Sequence, residues 1–244
     1  MSQFIFGAGS LWGTSTATGS TPIQFGALQE ASFDFSATTK ELFGGSQFAL
    51  AVRRGTIKVT GKAKMGTING AMFNSLFFGQ NGSAGQVLVA NGETASIPAT
   101  PYAITVSNAA KFSEDLGVKY SLTGLPLTRV ASAPTTGQYS VSNVGVYTFA
   151  AADTLLSVAI SYSYTSTTGG TTTAITNQLL GTTPVFSMTF NAIDNGKQVT
   201  YTFPKCTASK LSFGTKLEDF VIPEFDFHVF ADDSGQVCIQ STVE

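Results

Sequence analysis

The chain has 244 residues, of which 43% are hydrophobic and only 11% charged, with a formal net charge of −2. That length allows one large all-β domain or two smaller ones around a real core. The near-neutral charge argues against a general polyanion binder, and no apolar run reaches the roughly 18 residues that a transmembrane helix needs. Ordinary soluble domains are about one quarter charged. A surface so poor in charge has few means of staying monodisperse, so burial of surface in an assembly is expected.

The opening stretch "MSQFIFGAGSLWG" has neither a basic segment nor a continuous apolar core, and is not expected to be a secretory signal. The Gly/Thr-rich residues that follow lead to the expectation of a flexible N-terminal arm over 1–26, ordering on assembly. "SFDFS" then places Phe33 and Phe35 on one face of a strand. "VRRGTIKVTGKAKMG" (Val52 to Gly66) holds five of the 13 basic residues: Arg53, Arg54, Lys58, Lys62 and Lys64. Within it Ile57, Val59, Ala63 and Met65 share one strand face, and Lys58, Thr60, Lys62 and Lys64 share the other.

"TINGAMFNSLFFG" is the one segment with helical spacing, predicting a short α-helix over about 68–78. Ile68, Met72 and Leu76 share a side, with Phe73 and Phe77 drifting from it; Asn69 serves as N-cap and Gly79 as the stop. Three turn-rich linkers follow: Gly79 to Gln86, Ala131 to Gln138 and Thr165 to Thr173. Between them "LSVAISYSY" sets Val158, Ile160, Tyr162 and Tyr164 against Ser157, Ser161 and Ser163. Further on, "VFSMTF" forms an apolar face of Phe186, Met188 and Phe190. Strands with one dry and one polar face belong to antiparallel sheets packed as sandwiches or barrels. "SFDFSATTKELFG" and "PEFDFHVFADDSG" also echo one another through the Phe-Asp-Phe unit.

Charge changes along the chain. Residues 1–79 carry six basic and three acidic groups, residues 80–170 three and four, and residues 171–244 four and eight.

No catalytic, cofactor or metal site is expected. His228, the single histidine, falls on the polar face of "EFDFHVF" with Glu224 and Asp226, and no nucleophile motif accompanies it. Asp232 and Asp233 in "ADDSGQ" lack the spaced oxygens of a calcium loop and read as a hairpin turn. Cys206 and Cys238 have no C-x-x-C partner and read as reduced, buried thiols, which fits synthesis in a reducing cytoplasm. "NGS" at Asn81 matches a glycosylation sequon, but nothing indicates secretion.

For the basic run three readings stand. It is a solvated strand face, a nucleic-acid contact, or a row that pairs with the acids of the C-terminal segment, between strands or between subunits. The last is favoured. Glu218, Asp219, Glu224, Asp226, Asp232 and Asp233 hold six of the 15 acids, and complementary rows fix register and penalise wrong docking.

Residues 32–79, "SFDFSATTKELFGGSQFALAVRRGTIKVTGKAKMGTINGAMFNSLFFG", resemble the N-terminal half of a phage tail tube protein, the major tail protein of a long-tailed bacteriophage. The likeness lies in the order of four features: the strand ending in "KELFG", the "FALAVRRG" turn, the basic "KVTGKAK" strand and the "INGAMFNSLFFG" segment. "FPKCTASKLSFGTKLEDFVIPEFDFHVFADDSGQV" is similar to the closing strands of such proteins, and the two stretches cover somewhat more than half the chain. The middle has the flavour of β modules found in phage structural proteins.

The resemblance implies a mainly β, antiparallel sandwich or barrel of tail tube type. It would be flanked by the short helix and interrupted by a β-rich insertion at 80–170, with 1–79 and 171–244 as the core. Subunits would close into hexameric rings that stack into a hollow virion tail tube, bridged by long hairpins or loops and the chain termini. DNA passes through without binding, and no membrane is involved. Tail terminator, tail tip and tape-measure proteins are the implied partners. Arg53, Arg54, Lys58, Lys62, Lys64, Glu218, Asp219, Glu224 and Asp226 are expected as assembly contacts, and Asp232 and Asp233 as lumen candidates. Two other classes compete: a capsid-decoration or adhesin-like binding module, and a hydrolase gathering acids around His228.

Overall fold

A computed structural model describes residues 5–67, 70 and 72–242. The chain divides into two compact units, one within 1–82 and 173–244, the other within 83–172. The first unit begins with strands β1 (Ser10–Ser15), β2 (Ile23–Gln24), β3 (Leu28–Phe43) and β4 (Ala49–Met65).

The expectation of a flexible arm over 1–26 is corrected for residues 10–25; residues 1–4 of it lie outside the described residues. Residues 10–15 are a strand hydrogen-bonded along its whole length to a neighbour in the sheet. Leu11, Ile23 and Phe25 are buried, so burial of apolar side chains offsets the ordering entropy that Gly/Thr-rich composition suggests.

The helical segment is also revised. It is a six-residue π-helix, Met72–Phe77, and the cap assigned to Asn69, like Ile68, lies outside the described residues. A helix this short is held by packing rather than propensity, and Leu76 supplies it, fully buried in the first unit's core. Gly79 ends it as expected. Its positive φ of 61° suits glycine, and the Gln80 amide closes back on the Asn74 carbonyl at 2.8 Å.

The second unit contains β5 (Ser83–Ser96), β6 (Ala103–Thr105), β7 (Phe112–Tyr120), β8 (Thr128–Arg129), β9 (Gln138–Val141), β10 (Val146–Phe149) and β11 (Ser157–Thr172). They form a three-stranded sheet, β5-β11-β7, and a four-stranded one, β6-β10-β9-β8. Val118, Val158, Ile160 and Tyr162 from one sheet share a single core with Ile104, Tyr139, Tyr147 and Phe149 from the other. The stretch read as a linker over Thr165 to Thr173 is instead the end of β11, and β5 starts inside the linker read at Gly79 to Gln86. A bulge between Ser166 and Thr171 absorbs the glycines, and Thr171 and Thr172 resume pairing with Ala84 and Ser83.

Carboxylates pin this unit internally. Asp115, nearly inaccessible to solvent, accepts hydrogen bonds from Tyr139 Oη (2.7 Å) and Tyr147 Oη (2.9 Å) and faces Arg129 at 3.6 Å. Asp153, also buried, accepts from Tyr120 Oη and the Gly137 amide. Burial pushes the phenols of Tyr120, Tyr139 and Tyr147 up, and the neighbouring carboxylate adds to the effect.

The chain then returns to the first unit with β12 (Phe186–Asp194), β13 (Lys197–Ser212), β14 (Glu224–Val229) and β15 (Ile239–Thr242). The sheet order is β2-β1-β12-β13-β14-β4-β3, with β15 pairing β13, and all of these pairs are antiparallel. The sheet curls. Phe33 on the β3 edge lies 5.3 Å, centroid to centroid, from Phe190 on β12 and 5.0 Å from Phe203 on β13, although β14 and β4 stand between them in sheet order. The concave face holds Met65, Leu76, Phe186, Met188, Phe203, Phe225 and Phe227, all essentially inaccessible to solvent. The two Phe-Asp-Phe units flank β4, with Phe33 and Phe227 both opposite Gly61.

The described residues are therefore mainly β, as the alternation predicted, with sheets antiparallel except for the short β8–β9 pair, and with one six-residue helix besides two three-residue 3-10 turns.

Candidate assembly surface

Beyond Phe33, β3 and β4 leave the body of the first unit together. From residue 34 to 58 every side chain is exposed except the half-buried Ala49 and Ala51. The dry-face alternation read from the sequence stops there, and Phe35 and Ile57, expected inside, are both more than half exposed. Ten residues from Asp34 to Phe43 extend about 33 Å at strand rise. The hairpin carries large apolar side chains at its end: Leu42, Phe43, Phe48, Leu50 and Val52, with Phe48 83% exposed. An isolated two-stranded hairpin is marginal in water, and exposed aromatic and aliphatic groups on this scale make this the candidate interaction surface of the first unit.

Its charges are also unmatched. Lys40 stands directly opposite Arg53, and Arg54 opposite Thr39; like charges directly across a ladder are destabilising. Among the described residues none of Lys40, Arg53, Arg54 and Lys58 forms an ion pair. "FGGSQF", two apolar runs around a Gly-Gly, was the sequence signal that could have located this hairpin and its tip.

The lower part of the basic row behaves differently. β4 lies between β3 and β14, so Lys64 sits between Glu30 and Glu224, and Lys62 between Ser32 and Asp226. Lys64 Nζ reaches Glu30 Oε2 at 2.6 Å, Lys62 Nζ reaches Glu224 Oε1 at 3.5 Å, and Lys210 Nζ reaches Glu224 Oε2 at 3.1 Å. A hydrogen bond from Lys210 and the nearby Lys62 hold the Glu224 carboxyl below its usual range, while Glu30 raises Lys64. Lys62 and Lys64 thus pair between strands of their own chain. Glu30 and Lys210 are the partners that sequence reasoning missed, since Glu30 lies outside the C-terminal segment and only the acids of that segment were set against the row.

The remaining acids separate. Asp226 and His228 share a surface cleft of about 340 Å³ with Ser32, Asp34, Thr60 and Lys62, and Oδ1 of Asp226 is buried without a hydrogen-bond partner. His228 itself is exposed. Among the described residues no three His, Cys, Asp or Glu side chains converge as a metal site would need. Asp233 meets Lys205 at 2.6 Å. Asp232 accepts from the Ser234 and Gln236 amides and the Ser234 hydroxyl. These lower its carboxyl, the Ser234 hydroxyl most. "ADDSGQ" is indeed a turn but not the turn of a hairpin, because β14 and β15 both pair with β13 rather than with each other. The chain makes an excursion there and resumes the same direction.

Glu218 and Asp219 lie in the loop between β13 and β14. Asp219 pairs with Lys216 at 3.7 Å, and Glu218 is exposed with no ion pair among the described residues. Leu217 and Phe220 beside them are 99% and 90% exposed. The cysteines are both free; Cys206 is buried and Cys238 half-buried, and burial pushes the Cys206 thiol up to about 12. Among the described residues no helix is long and apolar enough to cross a membrane.

Comparison with models of known protein families yields no match, and comparison with curated proteins yields none either.

Proposed function

We propose that this chain is a structural subunit that closes on copies of itself into stacked rings around an open axis, the tail tube of a long-tailed bacteriophage through which DNA passes. The observation that carries the reading is the β3/β4 hairpin. It projects from a well-filled core, exposes Phe43, Phe48 and Leu50 at its end, and is too thin to stand alone in water. A chain that is only 11% charged suits a molecule whose surface is covered in an assembly. The order of sequence features shared with tail tube proteins supplies the kind of assembly. DNA transit requires a wall that does not bind phosphate, which an acidic or neutral lining achieves by repulsion within a Debye length of about 8–10 Å. Asp232 and Asp233 are the lumen candidates. Lys62 and Lys64, already engaged by Glu224 and Glu30, face protein.

Negative-stain imaging and sedimentation of the purified chain at rising concentration test this. Rings or tubes with an axial hole are expected. A monomer at every concentration, together with absence from purified virions, overturns the reading. Cryo-electron microscopy showing Lys58, Lys62 and Lys64 pointing into an open bore refutes the placement of the row.

A second reading, a virion-borne decoration or adhesin-like module, draws on the second unit. Its two sheets enclose a core of their own, Leu122 is almost fully exposed and Leu155 is largely so. A monomeric chain that binds glycan or capsid favours it.

A further inference from the structure

We infer that the end of the β3/β4 hairpin of one copy docks on the β13–β14 loop, residues 213–223, of the next copy. This rests on the self-assembly reading and names the two surfaces that join. Of the basic run, Lys62 and Lys64 are engaged within the chain, which leaves Lys58 partway along the hairpin and Arg53 and Arg54 near its end, where Lys40 of β3 stands opposite Arg53. Of the C-terminal acids, Glu224 and Asp233 are held by lysines and Asp232 by its turn. Asp226 lies opposite Lys62 with its Oδ1 buried, so Glu218 remains as the exposed acid, next to an Asp219 paired with the exposed Lys216 at 3.7 Å. Each surplus sits beside bare apolar groups: Phe43, Phe48 and Leu50 on the hairpin, Leu217 and Phe220 on the loop. Apolar anchors ringed by opposite charge are the makeup of a specific interface.

The two surfaces cannot meet in one molecule. The hairpin turn precedes Ala49, the first residue of β4, whereas the loop closes at the other end, where the Met65 amide donates to the Pro223 carbonyl at 3.1 Å. Sixteen residue steps of strand, about 50 Å, separate them. Complementary patches at opposite ends of one strand make a heterologous contact, which propagates head to tail instead of closing a two-fold dimer.

Full-length Arg53→Glu/Arg54→Glu and Glu218→Arg/Asp219→Arg variants test this by high-speed sedimentation and imaging, with circular dichroism as the check on folding. Each pair alone is expected to lower the sedimenting fraction at least tenfold while the spectrum stays unchanged. The four changes together are expected to restore it to within twofold. Wild-type assembly by either double variant, or no recovery in the combined one, overturns the contact. A Phe48→Cys/Leu217→Cys chain gives a second measurement: on oxidation it forms a covalent ladder of multimers that neither single variant forms, and assembled protein without that ladder also overturns it. Assembly undisturbed by the reversals removes this interface alone, whereas a wild-type chain that never assembles removes the self-assembly reading with it.

Discussion

The ring of Phe227 lies across Gly61, occupying the space that a Cβ on residue 61 would need. The two residues are directly paired between β14 and β4, and Phe33 approaches the same glycine from β3, 6.3 Å from Phe227 between ring centroids. A side chain at 61 therefore drives an aromatic out of a packed core. Gly61→Ala is expected to lower the stability of the first unit by about 1–3 kcal/mol, the usual cost of overpacking. Urea unfolding followed by circular dichroism checks it, and an unchanged midpoint contradicts the packing described.

Asp115 serves two phenols at once. Asp115→Ala leaves Tyr139 and Tyr147 hydroxyls buried without their acceptor, at about 1–3 kcal/mol for each orphaned group. The second unit is expected to melt earlier while the first is unaffected, which differential scanning calorimetry resolves. A single unshifted transition counts against the role assigned to Asp115.

High pH acts on the same groups. The folded pKa values of Tyr120, Tyr139, Tyr147 and Tyr162 are raised, by burial first and by Asp153, Asp115 or Glu93 second. Stability from a raised group is complete below the unfolded tyrosine value of about 10, and is lost as pH rises through the folded values. Tyrosinate absorbance at alkaline pH is expected to appear in two stages, the later one coinciding with loss of the near-ultraviolet dichroism. Simple one-stage titration near the ordinary value contradicts it.

Acid acts on the charge ladder of the first unit. The Glu224 carboxyl is depressed, chiefly by its hydrogen bond from Lys210. Its contribution is therefore present above the ordinary carboxylate range and lost as pH falls through the folded value. Lys62→Glu with Lys64→Glu sets like charges beside Glu30 and Glu224. This double variant is expected to melt below wild type at neutral pH, with the gap narrowing in high salt. A gap indifferent to salt argues against the cross-strand pairing as its cause.

The hairpin end is expected to be dispensable for folding. Replacing residues 38–56 by Asn-Gly joins Ala37 to its partner Ile57 through a two-residue turn. The thermal midpoint should hold while sedimenting assemblies disappear. Assemblies that survive the deletion contradict the part given to the hairpin.

Much of this was legible in the residues because side-chain direction along a strand is local. Alternation alone put Val59, Ala63, Met65, Phe186, Met188 and Phe190 inward, and all six are buried. It put His228 outward, where it lies. The same rule failed at Phe35 and Ile57, since alternation states which side chains share a face, not whether anything covers that face. Composition, not alternation, misled for residues 10–15, where the ladder partner is a strand some 175 residues away in sequence. The glycines of "TSTTGGTTT" looked like a linker because a bulge and a turn use the same residues.

The mainly β class, the strand faces, the scarcity of charge and the concentration of positive groups on β4 could all be read from the order of the residues. That β4 lies between β3 and β14, and β14 beside β13, became visible only in the folded chain. The place of β4 gives Lys64 to Glu30 and Lys62 to Glu224, the neighbouring β13 adds Lys210 to Glu224, and Arg53 and Arg54 are left unmatched on a projecting end. The division has a physical cause: a strand's two-residue period is set by its own backbone, whereas its neighbours are chosen by packing among segments far apart in the chain.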